Sequence, residues 1–134
     1  MGHSTMKYLL DTHTFLWAAL DAAKLGAKAV SIIEDTNAQL FVSAVSAYEI
    51  MYKHKLGKLP GYAYIADNYF DILSELGVDE LHVDMRHAHL AGKIEWAHRD
   101  PFDRFLAAQA ATEKLSLITN DPAFMELAWV STIW

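Results

Sequence analysis

The stretch Arg99-Asp100-Pro101-Phe102-Asp103-Arg104-Phe105-Leu106-Ala107-Ala108-Gln109-Ala110 is the one on which the fold turns. It reads as the start of a helix. Asp100 suits the N-cap, where a carboxylate accepts the free amides of the first turn. Pro101 suits the first helical position, because the N–H it lacks would have had no intrahelical partner. Asp103 falls in the first turn, near the positive end of the helix dipole. Phe102, Phe105, Leu106 and the alanines form an apolar face able to lie close against a sheet. Two acids at a helix start make a capping arrangement and need no further purpose. Three further acids in similar settings elsewhere in the chain change that reading.

Working outward, the segments on either side alternate between strand and helix. Met6–Leu10 is a short apolar run of the kind found in buried strands, and it ends in Asp11. Thr12–Leu20 reads as a helix, Asp21–Lys24 as a turn and Leu25–Glu34 as a second helix. Gln39–Ser43 is the second strand; Ala44–Leu56, carrying Glu49, is a helix stopped by Gly57. Lys58-Leu59-Pro60-Gly61 is the clearest loop. Tyr62–Leu76 follows as one helix, Glu80–Val83 as a third strand, and Asp84–Trp96 as a helix with Asp84 at its cap. Leu115–Thr119 is a fourth strand, Asn120-Asp121-Pro122 opens a short helix, and Val130–Ile133 is a fifth, edge strand. Short apolar strands without strict alternation, separated by helices, predict a mostly parallel sheet covered on both faces.

Composition narrows the function classes. A length of 134 residues suits one domain with a real core, and 53% apolar residues leave some to cover a partner surface. No apolar run approaches a membrane span, and no secretory signal is expected. The absence of cysteine removes disulfides and thiolate metal sites and fits the cytoplasm. A formal net charge of −6 argues against a protein that coats nucleic acid, yet it leaves open an enzyme whose metal ions supply the local positive charge. Met1-Gly2-His3-Ser4-Thr5, ahead of a second methionine, reads as an expression remnant.

The acids converge on this scaffold. Asp11 follows the first strand, Glu49 lies one to two turns into the helix after the second, and Asp121 lies two residues past the fourth. In an open parallel sheet the crevice forms outside the carboxyl ends of the strands. Asp103 joins them because its helix must finish at the opposite edge to feed the fourth strand. Each acid alone has a capping explanation; Glu49, for instance, can close a box with Ser46. Capping does not explain four carboxylates at one edge. Such a cluster repels itself unless it is protonated or bound to cations, and oxygen ligands point to hard divalent ions, Mg²⁺ or Mn²⁺.

Tyr8-Leu9-Leu10-Asp11-Thr12-His13, Glu49 after Ser43-Ala44-Val45-Ser46, Asp100-Pro101-Phe102-Asp103-Arg104 and Leu117-Ile118-Thr119-Asn120-Asp121 together resemble a PIN domain, and more narrowly the VapC-type ribonuclease toxins. The resemblance runs from about Met6 to the C-terminus, so residues 6–134 are taken as one PIN-like domain. It implies a three-layer α/β/α fold and Mg²⁺- or Mn²⁺-dependent endonucleolytic cleavage of RNA. It further implies a homodimer and neutralisation by a VapB-like antitoxin. Carried over by position, Asp11, Glu49, Asp103 and Asp121 match the family's acidic, metal-binding site. Asp103 fits as the third acid better than Asp100, because it directly precedes Arg104-Phe105-Leu106-Ala107-Ala108.

The neighbours of these acids keep two readings each. Asp100 is either a cap or an outer contact to the metal. Thr12 and Thr119 either orient carboxylates and water or make turn hydrogen bonds. Arg104 either contacts a phosphate or a site acid, or forms a surface salt bridge. His13 is left out because hard ions prefer oxygen. His82, His87, His89 and His98 are expected to be structural or at the surface, Trp17, Trp96, Trp129 and Trp134 in the core or an interface, and Lys53-His54-Lys55 with Lys58 a solvated helix end. The alternatives are a PIN-like nuclease outside a toxin pair and a non-catalytic metal-binding scaffold. An aspartyl phosphatase is weaker, because Asp11-Thr12-His13 places histidine where its second aspartate belongs.

Overall fold

The computed structural model describes residues 6–134, so the reading of residues 1–5 lies outside the described residues. Five strands, β1 (Lys7–Leu10), β2 (Gln39–Ser43), β3 (Val78–Leu81), β4 (Ser116–Ile118) and β5 (Thr132–Ile133), form one sheet in the order β3-β2-β1-β4-β5. Every pairing among the described residues is parallel, with Leu10 opposite Val42 on one side and Ile118 on the other. The expected mostly parallel sheet is therefore wholly parallel here.

Helices cover both faces. They are α1 (Thr12–Leu20), α2 (Ala27–Glu34), α3 (Ala44–Lys55), α4 (Ala63–Asp67), α5 (Tyr69–Leu76), α6 (Met85–Lys93) and α7 (Pro101–Thr112), with short 3-10 turns at Ala22–Lys24 and Pro122–Glu126. Strand alternation divides the core. Tyr8, Leu10, Leu40, Val42 and Ile118 pack with Phe15, Leu16, Ile50, Ile65 and Ile72 on one face. Leu9 and Leu117 pack with Leu106, Ala107, Ala110 and Phe124 on the other. The alanines of α7 let that helix lie close on the sheet. The three-layer α/β/α arrangement is thus as expected.

Several boundaries differ from the sequence reading, and three of the differences have a local reason. The helix expected over Tyr62–Leu76 breaks at Asn68, whose side-chain amide donates to the Tyr64 carbonyl at 2.9 Å and competes with the helical ladder. Gly77, with φ of 66°, ends α5 in the left-handed region, so β3 begins at Val78 rather than Glu80. The helix expected to reach Trp96 stops at Lys93, because the carbonyls of Ala91, Ile94, Trp96 and His98 all accept from the Arg104 guanidinium.

The C-terminus closes the sheet against α2. The Trp134 carbonyl accepts from the Ala29 amide at 2.9 Å. Gly26 caps α2 directly beneath the Trp134 ring, and a Cβ there would lie 2.5 Å from Trp134 Cδ1 and inside contact distance of its carbonyl oxygen. Gly26→Ala is therefore expected to push the C-terminal segment off α2 and cost about 1–3 kcal/mol. Thermal melting checks this; an unchanged melting temperature contradicts the packing described.

Candidate active site

The crevice lies where the chain reverses its direction across the sheet. From β1 it winds through β2 to β3, then returns to β4 on the other side of β1. The carboxyl ends of β1 and β4 are therefore adjacent while their following segments diverge. Asp11 follows β1 and caps α1, its Oδ1 accepting from the Thr14 amide at 2.7 Å. Asp121 caps the 3-10 turn after β4, its Oδ1 accepting from the Ala123 amide at 3.0 Å. Asp103 comes from the first turn of α7 and Glu49 from the second turn of α3. All four line one cleft of about 540 Å³ together with Thr12, His13, Trp17, Lys53, His98 and Asp100.

Hydroxyl groups hold two of the acids. Thr119 Oγ1 donates to Asp11 Oδ2 and accepts from the Asp121 amide at 3.1 Å, so a single hydroxyl ties the β1 acid to the segment of the β4 acid. Thr12 Oγ1 donates to Glu49 Oε1 at 2.6 Å. Its one proton is then committed, so Ser46 Oγ, 2.9 Å away, donates to Thr12. Glu49 does not close a box with Ser46; its second oxygen accepts from Lys53 Nζ. Glu49 is only 4% exposed and Asp11 6%, so these donors replace lost water.

Lys53 was expected in a solvated helix end and instead lines the cleft, one turn beyond Glu49 on α3. Burial alone would lower the pKa of its ammonium, but the Glu49 hydrogen bond and charge, with Asp100 and Asp103 behind them, raise it. Asp100 acts as the α7 cap, Oδ1 accepting from the amides of Phe102 and Asp103 at 2.9 and 3.3 Å, and it lines the cleft as well. Both of its readings therefore keep a structural basis. Trp17, expected in the core or an interface, also borders the cleft.

Among the described residues Arg104 pairs with no site acid and forms no surface salt bridge. Its guanidinium donates to four backbone carbonyls between 2.6 and 3.2 Å. These oxygens end α6 and line the following loop, where no helical amide reaches them. Arg104 thereby fastens the 94–98 loop to the helix that carries Asp103.

That loop delivers the residue the sequence reading passed over. His98 Nε2 lies 2.7 Å from Asp103 Oδ2. The one signal in the sequence was its position two residues before Asp100, which is weak without the loop geometry. Burial pushes the Asp103 carboxyl up to about 7, with the Asp100 and Glu49 charges adding and His98 opposing. The bond to Asp103 raises the His98 pKa. Burial likewise raises Asp11, partly offset by the donors Thr119 and Thr14. Ligand atoms of His98, Asp103 and Asp121 all lie within 4.8 Å of one another. His87, by contrast, is structural as expected: buried in α6, its Nδ1 accepts from the Asp84 amide at 3.0 Å.

An α/β/α scaffold with acids gathered at its switch point defines a class. The PIN domain family model matches residues 8–130, and the chain belongs to that family. No curated protein sequence matches it. Among solved structures it is similar to VapBC2 from Rickettsia felis bound to a promoter DNA fragment, at 16% identity and a TM-score of 0.72, covering 96% of this chain and 98% of that one. It is also similar to VapBC-1 from nontypeable Haemophilus influenzae, at 22% identity and TM-score 0.68 over 96% and 97%. A toxin–antitoxin complex from Klebsiella pneumoniae matches at 19% identity and TM-score 0.63 over 93% and 96%. At these identities the likeness is one of fold.

The raised acids fix the sign of a pH effect. Over the range from about 4 to about 7 the folded protein holds protons on Asp103 that the unfolded chain has released. His98, raised above its ordinary value, acts in the same direction at the upper end. Stability of the metal-free protein is therefore expected to fall as pH rises through this window. Melting in chelator at about pH 5 and about pH 8 should show the drop, and Asp103→Asn should reduce it, with the raised Asp11 carboxyl leaving a remainder. A wild-type melting temperature that rises across the window contradicts the clustered acids.

Proposed function

We propose that the chain is a divalent-metal-dependent endoribonuclease and the toxin component of a VapC-type toxin–antitoxin pair. The observation that carries this reading is the meeting of Asp11, Glu49, Asp103 and Asp121 in one cleft of a PIN domain. The donor set is rich in carboxylate oxygen, which suits Mg²⁺ or Mn²⁺. Asp11, Asp103 and Asp121, with Glu49, would hold the ion. Bound there, it supplies activation of a water and neutralisation of charge at the phosphoryl group.

The chain's own groups prepare that chemistry. Thr119 fixes the Asp11 carboxylate and Thr12 fixes Glu49, so the acids need not reorganise when an ion arrives. The N-termini of α1 and α7 turn their positive ends toward the acids and offset part of their repulsion. Lys53 is the cation of the cleft wall and is placed to attract an RNA phosphate, with binding of the polyanion otherwise dependent on the ion. No described helix is long and apolar enough to cross a membrane. We assign the protein to the cytoplasm, where RNA and an antitoxin are both at hand.

A partner surface adjoins the cleft. Tyr48, 62% exposed, stacks on Tyr52 and leans on Phe102, and with Val45, Pro101 and Phe105 they line an apolar groove. Exposed aromatics at that density mark an interaction site. A VapB-like antitoxin segment fits it, with a basic side chain reaching the acids. The apolar surplus elsewhere supports a homodimer.

Asp103→Asn is expected to abolish Mn²⁺-dependent RNA cleavage while circular dichroism stays unchanged; near-wild-type cleavage by the folded variant rejects the assignment. Metal binding without cleavage of any RNA by the wild type would instead establish the scaffold reading. Mn²⁺ at a hundredfold excess over its dissociation constant should add roughly 2.7 kcal/mol of stability. Metal-free Asp11→Asn should melt above metal-free wild type and gain less from Mn²⁺. A lower melting point with the full Mn²⁺ gain would make Asp11 an ordinary cap.

A further inference from the structure

We propose that His98 is a direct ligand of the divalent ion, forming with Asp103 and Asp121 a mixed nitrogen–oxygen face that prefers Mn²⁺ to Mg²⁺. The proposal rests on the metal-site reading above and adds to it a ligand and a selectivity.

Spacing supports ligation first. Donor atoms in neighbouring positions around an octahedral ion of this size lie roughly 3 Å apart. His98 Nε2 and Asp103 Oδ2 are 2.7 Å apart, and a ligand atom of Asp121 falls within 4.8 Å of both residues' ligand atoms. All three groups line the same cleft. An ion can therefore take the place between them with small side-chain adjustments.

The second support is how firmly the imidazole is held. The backbone of His98 is fixed by its carbonyl, which accepts from Arg104 Nη1 at 3.1 Å. Arg104 neighbours Asp103 on α7, so one residue sets the spacing of both proposed ligands. The His98 ring packs on Trp96 with centroids 4.8 Å apart. Trp96 in turn packs on Phe124, which is fully buried in the turn that Asp121 caps, and its Nε1 donates to Glu126 in that same turn at 3.1 Å. The imidazole is thus braced from both segments whose acids it would join. A merely solvent-facing histidine gains nothing from this bracing, whereas a metal ligand does.

Chemistry gives the preference. An all-carboxylate site suits Mg²⁺, which demands oxygen and dehydrates reluctantly. An imidazole nitrogen shifts affinity toward transition ions, of which Mn²⁺ retains the taste for the surrounding carboxylates.

The test uses full-length protein stripped with chelator, with Mn²⁺ as the probe. Pulsed electron paramagnetic resonance of the bound ion should show coupling to a directly bound nitrogen, and the coupling should change isotope when the protein carries ¹⁵N-histidine. That measurement needs no variant. His98→Ala should lose the coupling and bind Mn²⁺ more weakly. Competition with Mg²⁺ should show the Mn²⁺ preference shrinking in the same variant. His13→Ala, altering the cleft's other imidazole, should keep the coupling. Bound Mn²⁺ without nitrogen coupling in the wild type overturns the proposal and leaves the acidic site standing. So does coupling that survives His98→Ala. A wild type that binds no Mn²⁺ overturns the ligand assignment together with the site reading beneath it.

Discussion

Carboxylates brought into one small volume repel one another, and much of this structure is arranged to hold that repulsion in place. Asp11, Glu49, Asp100, Asp103 and Asp121 border one cleft. Water is largely kept from Asp11 and Glu49, so the fold must supply what water would have. It does so with short-range donors: two threonine hydroxyls, the Lys53 ammonium and the Thr14 amide in the first turn of α1. The relief is partial. Burial still pushes Asp103 up to about 7 and raises Asp11 as well.

The sheet order is what makes this concentration geometrically available. With β1 central and its two neighbours reached by chain segments leaving in opposite directions, the ends of β1 and β4 open a gap that no strand fills. Parallel pairing sends every strand's carboxyl end to the same edge. A helix that starts at this edge brings its positive terminus and its first-turn acid with it. Asp103 arrives in that way, because α7 must run away from the cleft to feed β4. The acidic site is thus a consequence of topology before it is one of side-chain chemistry.

Legibility in the sequence followed the same division. The strands, the α7 start and the placing of all four acids at one edge depend on periodicity, capping and chain direction, which are local or topological. Lys53, Arg104 and His98 were misread because their roles depend on partners their neighbours in sequence do not reveal. Arg104 looked like a surface cation, yet its acceptors are carbonyls 6 to 13 residues earlier, freed only because α6 stops at Lys93. Lys53 sits on the face of α3 that also carries Glu49, and only the burial of Glu49 distinguishes it from an exposed helical pair. His98 depends on the loop that Arg104 creates. Asn68 shows the reverse failure: a local competition, strong enough to break a helix, inside a segment whose apolar spacing read as continuous.

Capping and site chemistry need not compete for the same acids. A carboxylate has two oxygens and about four acceptor positions, and a cap hydrogen bond uses one. At Asp121 the Ala123 amide takes Oδ1, and no described hydrogen bond uses Oδ2. At Asp103 the contact to His98 involves Oδ2, leaving Oδ1 without one. Asp11 differs: both of its oxygens already accept, one from an amide and one from Thr119. The caps fix the direction of the Asp11 and Asp121 carboxylates at little cost, because the helix start has donors to spare, whereas Asp103 is held by His98 and Glu49 by Thr12 and Lys53. Ordinary helix grammar therefore builds the cluster, and what exceeds that grammar is the number of acids delivered to one edge. The bracing of His98 between the Asp103 helix and the Asp121 turn exceeds it too, because no cap, strand or core contact calls for an imidazole at that point.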